Sequence, residues 1–120
     1  MPVRAGIYIR PQYNEKGDVV NDPAKQEETC RKHANKQGYV VAQIYREEEN
    51  GVDAERPELR RLRSSIWTRH LDVVIATTPD RLYIDTNRLA RFAKEADLMN
   101  VRLEFVNSPL ASEQLLRETY

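Results

Sequence analysis

The sequence predicts an α/β fold: a mainly parallel sheet of four to five strands with helices on both faces. Three observations predict it. Short segments rich in apolar and β-branched residues recur at 3–9, 39–45, 72–76 and 101–106, the first consistent with a strand buried on both faces. Stretches with helical spacing separate them. The loops between are only a few residues long, so each strand passes to the next through a helix, with right-handed crossovers expected.

Taken in order, residues 3–9 form the first strand, with Arg10, Pro11 and Gln12 at its tip. Residues 14–21 are polar, contain Gly17 and read as a loop. Asp22 before Pro23 has the form of a helix N-cap with proline at the first helical position. That helix runs through "AKQEETCRKHANKQ" and stops at Gly38. "YVVAQIY" is the second strand, and "REEENGVDAE" is an acidic, glycine-containing loop. Pro57 opens "ELRRLRSSIWTRH", which carries Leu59, Leu62 and Ile66 at helical spacing. "DVVIA" is the third strand and "TTPDRLYIDTN" a loop. In "RLARFAKEADLM", Leu89, Phe92, Ala93 and Ala96 share a face, and "VRLEFV" is the fourth strand. The remainder, about 108–120, has room for one short helix. The whole of 1–120 reads as one domain.

Composition narrows the function. The formal charge is zero, and basic and acidic residues divide evenly between the two halves, so no basic tail marks a nucleic-acid footprint. Contact with nucleic acid would have to come from a local arginine cluster. Arg greatly outnumbers Lys, which suits planar pairing with phosphate or carboxylate and suits ordinary surface ion pairs equally. Cys30 is the single cysteine, which excludes an internal disulfide and a cysteine metal cluster. "MPVRAGIYIR" is too interrupted for a signal peptide, and no run has the length of a membrane span. A cytoplasmic protein with no membrane partner is expected.

In parallel sheets ligands gather beyond the carboxyl ends of the strands. Arg10, Glu47–Gly51 and Thr77–Arg81 all fall there. A dinucleotide site does not fit, because "RPQYNEKG" has one distant glycine where the phosphate fingerprint needs several, and no Walker-type lysine loop is present. Glu47, Glu48, Glu49 and Asp80 offer carboxylates for a metal, but the three glutamates read as a solvated charge run. His33 and His70 read as solvent-facing. What remains is Arg10, Arg56 and Asp80-Arg81. Each alone fits a salt bridge or a cap, Arg56 pairing with Glu55 or Glu58. Together at one sheet edge, the three guanidiniums would suit a phosphodiester.

These residues resemble the serine recombinases, the resolvase/invertase group. "IYIR" looks like their Tyr-x-Arg opening. "DPAKQEETCRKHANKQGYVV" resembles their first helix and second strand, with Gln26 at the glutamine position. "NGVDAERPELRRL" resembles the Ser-Gly…Arg-Pro-x-Leu segment, "DVVIATTPDRL" the third strand and its Asp-Arg-Leu motif, and "NVRLEFVN" the fourth strand. The motifs cover roughly residues 3–107 in order. The resemblance implies a resolvase-like catalytic domain that needs no cofactor or metal. In that family a serine attacks a DNA phosphodiester while arginines hold the phosphate and stabilise its developing charge. By position, Arg10, Arg56 and Arg81 would be phosphate ligands, Asp80 their acidic partner and Gln26 a supporting, DNA-facing polar residue.

The departures fall on the chemistry. The family reads Tyr-x-Arg-x-Ser, and its serine corresponds to Gln12, which is not a nucleophile. Its second arginine after Asp-Arg-Leu corresponds to Ile84. Pro11 fixes the backbone where the nucleophile loop bends. Where the family continues into a long dimer helix and a DNA-binding domain, the expectation here is that these are absent or reduced to "LASEQLLRETY". Tyr13 and Ser108 are alternative hydroxyls, although Tyr13 would point away from Gln12 on a continuing strand. Thr77 and Thr78 read as loop stabilisers. The expectation is a recombinase-like domain without catalysis that binds DNA phosphate weakly, or that associates with itself or with an intact recombinase. Leu110, Leu115 and Leu116 are apolar residues available for such association. Strand cleavage through another hydroxyl and binding of a small phosphorylated ligand are the alternatives.

Overall fold

The structure, a computed structural model, describes residues 2–13, 15–48 and 56–108. In chain order these form β1 (Arg4–Ile9), β2 (Gln12–Tyr13), β3 (Val19–Asn21), α1 (Pro23–Gln37), β4 (Val40–Arg46), α2 (Pro57–Trp67), β5 (Val73–Ala76), a 3-10 turn (Pro79–Arg81), α3 (Thr86–Leu98) and β6 (Arg102–Phe105). Four strands make one parallel sheet in the order β4-β1-β5-β6. The order runs outward from β1 in both directions. Such a reversal opens a crevice at the carboxyl ends of the two central strands, β1 and β5.

Side chains alternate across β1, and each face has its own helices. Ala5, Ile7 and Ile9 point with Val73 and Ile75 toward Cys30 and Ala34 of α1. Tyr8, Val74 and Ala76 point the other way, into a larger core built with Leu59, Leu62 and Ile66 of α2 and Leu89, Phe92, Ala93 and Ala96 of α3. Helices therefore cover both faces, as the hydrophobic spacing predicts. Each fully buried aliphatic side chain of α2 contributes roughly 1.5–3 kcal/mol relative to exposure.

The helix ends follow local chemistry. Asp22 accepts from the Ala24 amide, Pro23 takes the first helical position, and Gly38 leaves α1 in the left-handed conformation at φ 77°. Asp85 caps α3 through the Asn87 and Arg88 amides. Gly6 serves packing instead: a Cβ there would lie 2.7 Å from Leu71 Cδ1 and 3.1 Å from Tyr45 Cε2.

Three expectations need correction. The segment 14–21 is not wholly a loop, because Val19–Asn21 pairs antiparallel with Gln12–Tyr13 in a small hairpin whose turn passes through Gly17 at φ 84°. Glu47 is not part of a solvated charge run; it is 3% exposed and its carboxylate accepts from the Glu58 and Leu59 amides at 3.2 and 3.0 Å. It caps α2, whose own preceding residue makes no side-chain cap. His33 is not solvent-facing, since its Nε2 lies 2.7 Å from Glu104 on β6. His70 is exposed as expected and contacts Thr68. Glu49 and the rest of the acidic loop through Glu55, and the helix expected in 109–120 with its leucines, lie outside the described residues.

Candidate functional site

At the carboxyl ends of β1 and β5 the chain brings Arg10, Gln12, Arg56, Asp80 and Arg81 into one connected network. Arg10 follows β1 directly, and its backbone is held from two sides. The Gln26 carboxamide accepts from the Arg10 amide at 3.2 Å and donates to its carbonyl at 2.8 Å. Arg81 Nη1 donates to the same carbonyl at 2.9 Å. Gln26 also donates to the Asn21 carbonyl at 3.1 Å, tying the β2–β3 hairpin to α1. Gln26 is buried and its carboxamide is engaged by backbone, so its part here is to support Arg10.

Arg81 is 3% exposed, although it is a cation on a short turn. Its Nη2 donates to Gln12 Oε1 at 2.9 Å and to Asp80 Oδ2 at 3.2 Å. Gln12 Oε1 also accepts from Asn21 Nδ2. Asp80 in turn accepts from the Thr78 hydroxyl. Burial pushes the Asp80 carboxyl up, but the Thr78 bond and the Arg81 charge outweigh it and hold the group below its ordinary value. Thr78 thus stabilises the loop through its side chain and through its carbonyl, which accepts from the Arg81 amide at 3.2 Å, while the Thr77 carbonyl accepts from the Asn107 amide at 2.9 Å.

Arg56 is built into the wall. Its guanidinium carbon lies 5.4 Å from the Tyr8 ring centroid and 5.5 Å from that of Tyr83. Nη1 donates to the Leu82 carbonyl, and Nη2 donates to the Arg81 carbonyl and the Tyr8 hydroxyl, both at 2.7 Å. Of the two suggested partners, Glu58 pairs with Arg61, and Glu55 lies outside the described residues. The Tyr8 hydroxyl, wholly buried, donates to Glu47 Oε2 at 2.7 Å. Burial raises the Tyr8 pKa, so the phenol keeps its proton.

Arg10 feels the other two guanidiniums. Burial first, and then the charges of Arg56 and Arg81, hold Arg10 below its ordinary value, against the opposing influence of Tyr8 and Glu47. Among the described residues, the buried Nε atoms of Arg10 and Arg81 have no hydrogen-bond partner. An unpartnered buried donor costs about 1–3 kcal/mol. Beside the cluster lies a polar cleft of about 300 Å³ lined by Asn21, Gln26, Thr77, Thr78, Asp80 and Asn107, among others. Tyr13 is 38% exposed on β2, and Ile84 is 77% exposed beyond the turn. No group of His, Cys, Asp and Glu among the described residues has the geometry to hold a metal ion.

Sequence reasoning missed Tyr8, Glu47, Asn21 and Tyr83 as members of this network. One signal for Glu47 was present. Pro57 opens α2 after Arg56, which cannot cap a helix, so an acceptor had to come from elsewhere in the chain.

This is a parallel α/β domain that concentrates cations where its central strands end. The family model "Resolvase, N terminal domain" matches residues 5–118, and the chain belongs to that family, the domain of serine recombinases that act in DNA recombination. Among solved structures it is similar to the C-terminal catalytic domain of ISC1926 TnpA, an IS607-like serine recombinase. That likeness has 25% identity and a TM-score of 0.74, over 98% of this chain and 78% of that one. The N-terminal catalytic domain of TP901-1 integrase shares the fold at 20% identity and a TM-score of 0.79, over 92% and 82% of the two chains. A resolvase family site-specific recombinase from Streptococcus pneumoniae shares it at 13% identity and a TM-score of 0.77, over 93% and 77%. Comparison with curated proteins gave no match. No helix among the described residues is long and apolar enough to cross a membrane.

Proposed function

We propose that this chain is a resolvase-type domain that does not cut DNA. It holds a phosphodiester weakly at the Arg10–Arg81 cluster, or associates with itself or with an intact recombinase. One observation carries the reading. Gln12, which the resemblance aligns with the attacking serine, directs a carboxamide oxygen at Arg81. An amide oxygen shared between two donors has no proton to surrender and forms no phosphoester. The neighbouring hydroxyls give no ready substitute. Tyr8 is enclosed and keeps its proton, Thr78 donates to Asp80, and Tyr13, the residue after Gln12, is 38% exposed on β2. Exposed Ile84, aligned with the family's second arginine, leaves the cluster one cation poorer.

What survives supports anion binding. The charges of Arg56 and Arg81 bear on Arg10, and a negative ligand relieves that repulsion. Arg10 and Arg81 serve as the direct ligands. Arg56, engaged by Tyr8 and two carbonyls, acts through its field, and Asp80 and Gln26 hold the frame.

The experiment is incubation with supercoiled DNA followed by denaturing electrophoresis. Unnicked DNA and no protein–DNA adduct are expected; an adduct that survives denaturation refutes the reading. In parallel, binding of a duplex oligonucleotide should weaken with salt and be lost in Arg10→Ala. Light scattering on the protein, alone and mixed with an intact recombinase, tests association.

A further inference from the structure

We propose that Gln12 sets the anion affinity of this site by occupying it: its carboxamide oxygen sits on Arg81 in place of an oxygen of the ligand. The inference rests on the phosphate-binding reading above and names what limits that binding. Gln12 Oε1 accepts from Arg81 Nη2 at 2.9 Å and also from the Asn21 amide nitrogen. Both partners donate, so the oxygen and not the NH2 of Gln12 faces them. An amide oxygen offers a guanidinium the same kind of acceptor as a phosphoryl oxygen, without the charge.

Arg81 has little else to offer a ligand. Nη1 is committed to the Arg10 carbonyl, Nη2 is shared between Gln12 and Asp80, and Nε is buried and without a partner. At 3% exposure, Arg81 reaches a ligand oxygen only when the Gln12 side chain withdraws. The hairpin opposes withdrawal. Gln12 and Asn21 are register partners across β2 and β3, so the anchoring amide sits opposite the residue it anchors. A phosphate oxyanion still makes the stronger hydrogen bond to Arg81, because charge-assisted bonds exceed neutral ones. It must first break the Gln12 contact, and its net affinity falls by that amount. The ligand class is a single phosphate group, supplied as free phosphate or as a backbone phosphodiester.

The test is titration of the full chain with inorganic phosphate, followed by NMR, and with a short duplex oligonucleotide, followed by fluorescence anisotropy. Gln12→Ala should bind phosphate about tenfold more tightly than the parent, the equivalent of one hydrogen bond to a charged group. Asn21→Ala releases the same oxygen without altering residue 12 and should give a smaller gain, which decides the matter if Gln12→Ala does not fold. The gain must vanish when Arg81→Ala is added. Equal or weaker binding by both single variants overturns the proposal and leaves the phosphate reading standing. A gain that persists without Arg81 overturns it as well. If neither probe binds any variant, the underlying reading fails and this one with it. Tighter phosphate with unchanged duplex binding assigns the site to free phosphate; tightening of both assigns it to the DNA backbone.

Discussion

Replacing Tyr8 with phenylalanine removes one oxygen from the centre of a buried network and leaves the ring where it was. That hydroxyl donates to Glu47 at 2.7 Å and accepts from Arg56 Nη2 at 2.7 Å and Nε at 3.2 Å. A hydrogen bond to a charged group contributes about 1.5–3 kcal/mol net. The losses do not add in full, because Arg56 keeps the Leu82 and Arg81 carbonyls and Glu47 keeps the two amides of α2. The expected destabilisation is about 2–4 kcal/mol, or a fall in Tm of roughly 10 °C for a domain of this size. Urea denaturation followed by circular dichroism measures it, with a thermal scan alongside. A loss under about 0.5 kcal/mol, the range of an ordinary surface change, would mean that Arg56 and Glu47 hold their places without the phenol.

Three further outcomes are expected. Gly6→Ala forces a methyl against Leu71 and Tyr45 and should cost about 1–3 kcal/mol in the same denaturation assay; a neutral result would mean that Leu71 swings aside freely. Burial pushes the Glu104 carboxyl up, but bonds from Tyr39 and His33 and the Arg102 charge outweigh it and hold the group below its ordinary value of 4.5. The stabilisation is therefore present above that pH and lost as pH falls through the lowered folded value, so Glu104→Gln should flatten the acid limb of the stability–pH curve, and an unchanged limb would count against the contact. Burial also pushes the Cys30 thiol up to about 12, so labelling by a disulfide reagent near pH 8 should wait on unfolding; rapid native-state labelling would contradict its enclosure by β1 and β5.

Much of this architecture was legible because it rests on local rules. Asp22-Pro23 and Gly38 bracket α1 through their own backbone preferences, and four apolar runs separated by helices leave few sheets to choose from. The meeting of Arg10 with Arg81 was legible for the same reason: parallel strands that end on one side bring their following residues together. What was hidden lay in long-range partnerships that carry no local pattern. Three consecutive glutamates look alike in sequence, yet Glu47 turns inward because α2 begins without a cap of its own. His33 finds Glu104 across 71 positions of chain. Arg56 was read as a pocket ligand, and its stacking between Tyr8 and Tyr83 could not be seen before the fold set those rings beside it. The hairpin was missed because two and three residues are too few for a period-two signal to register.

Residue 10 is gripped by its peptide groups. Gln26 and Arg81 hold its amide and carbonyl, contacts that any amino acid with a free amide would satisfy equally. The guanidinium above them adds nothing to that grip and brings an orphaned nitrogen into the interior. Backbone grip and side chain are therefore separable at this position: a substitution that changes the side chain leaves the contacts that fasten the strand's end in place.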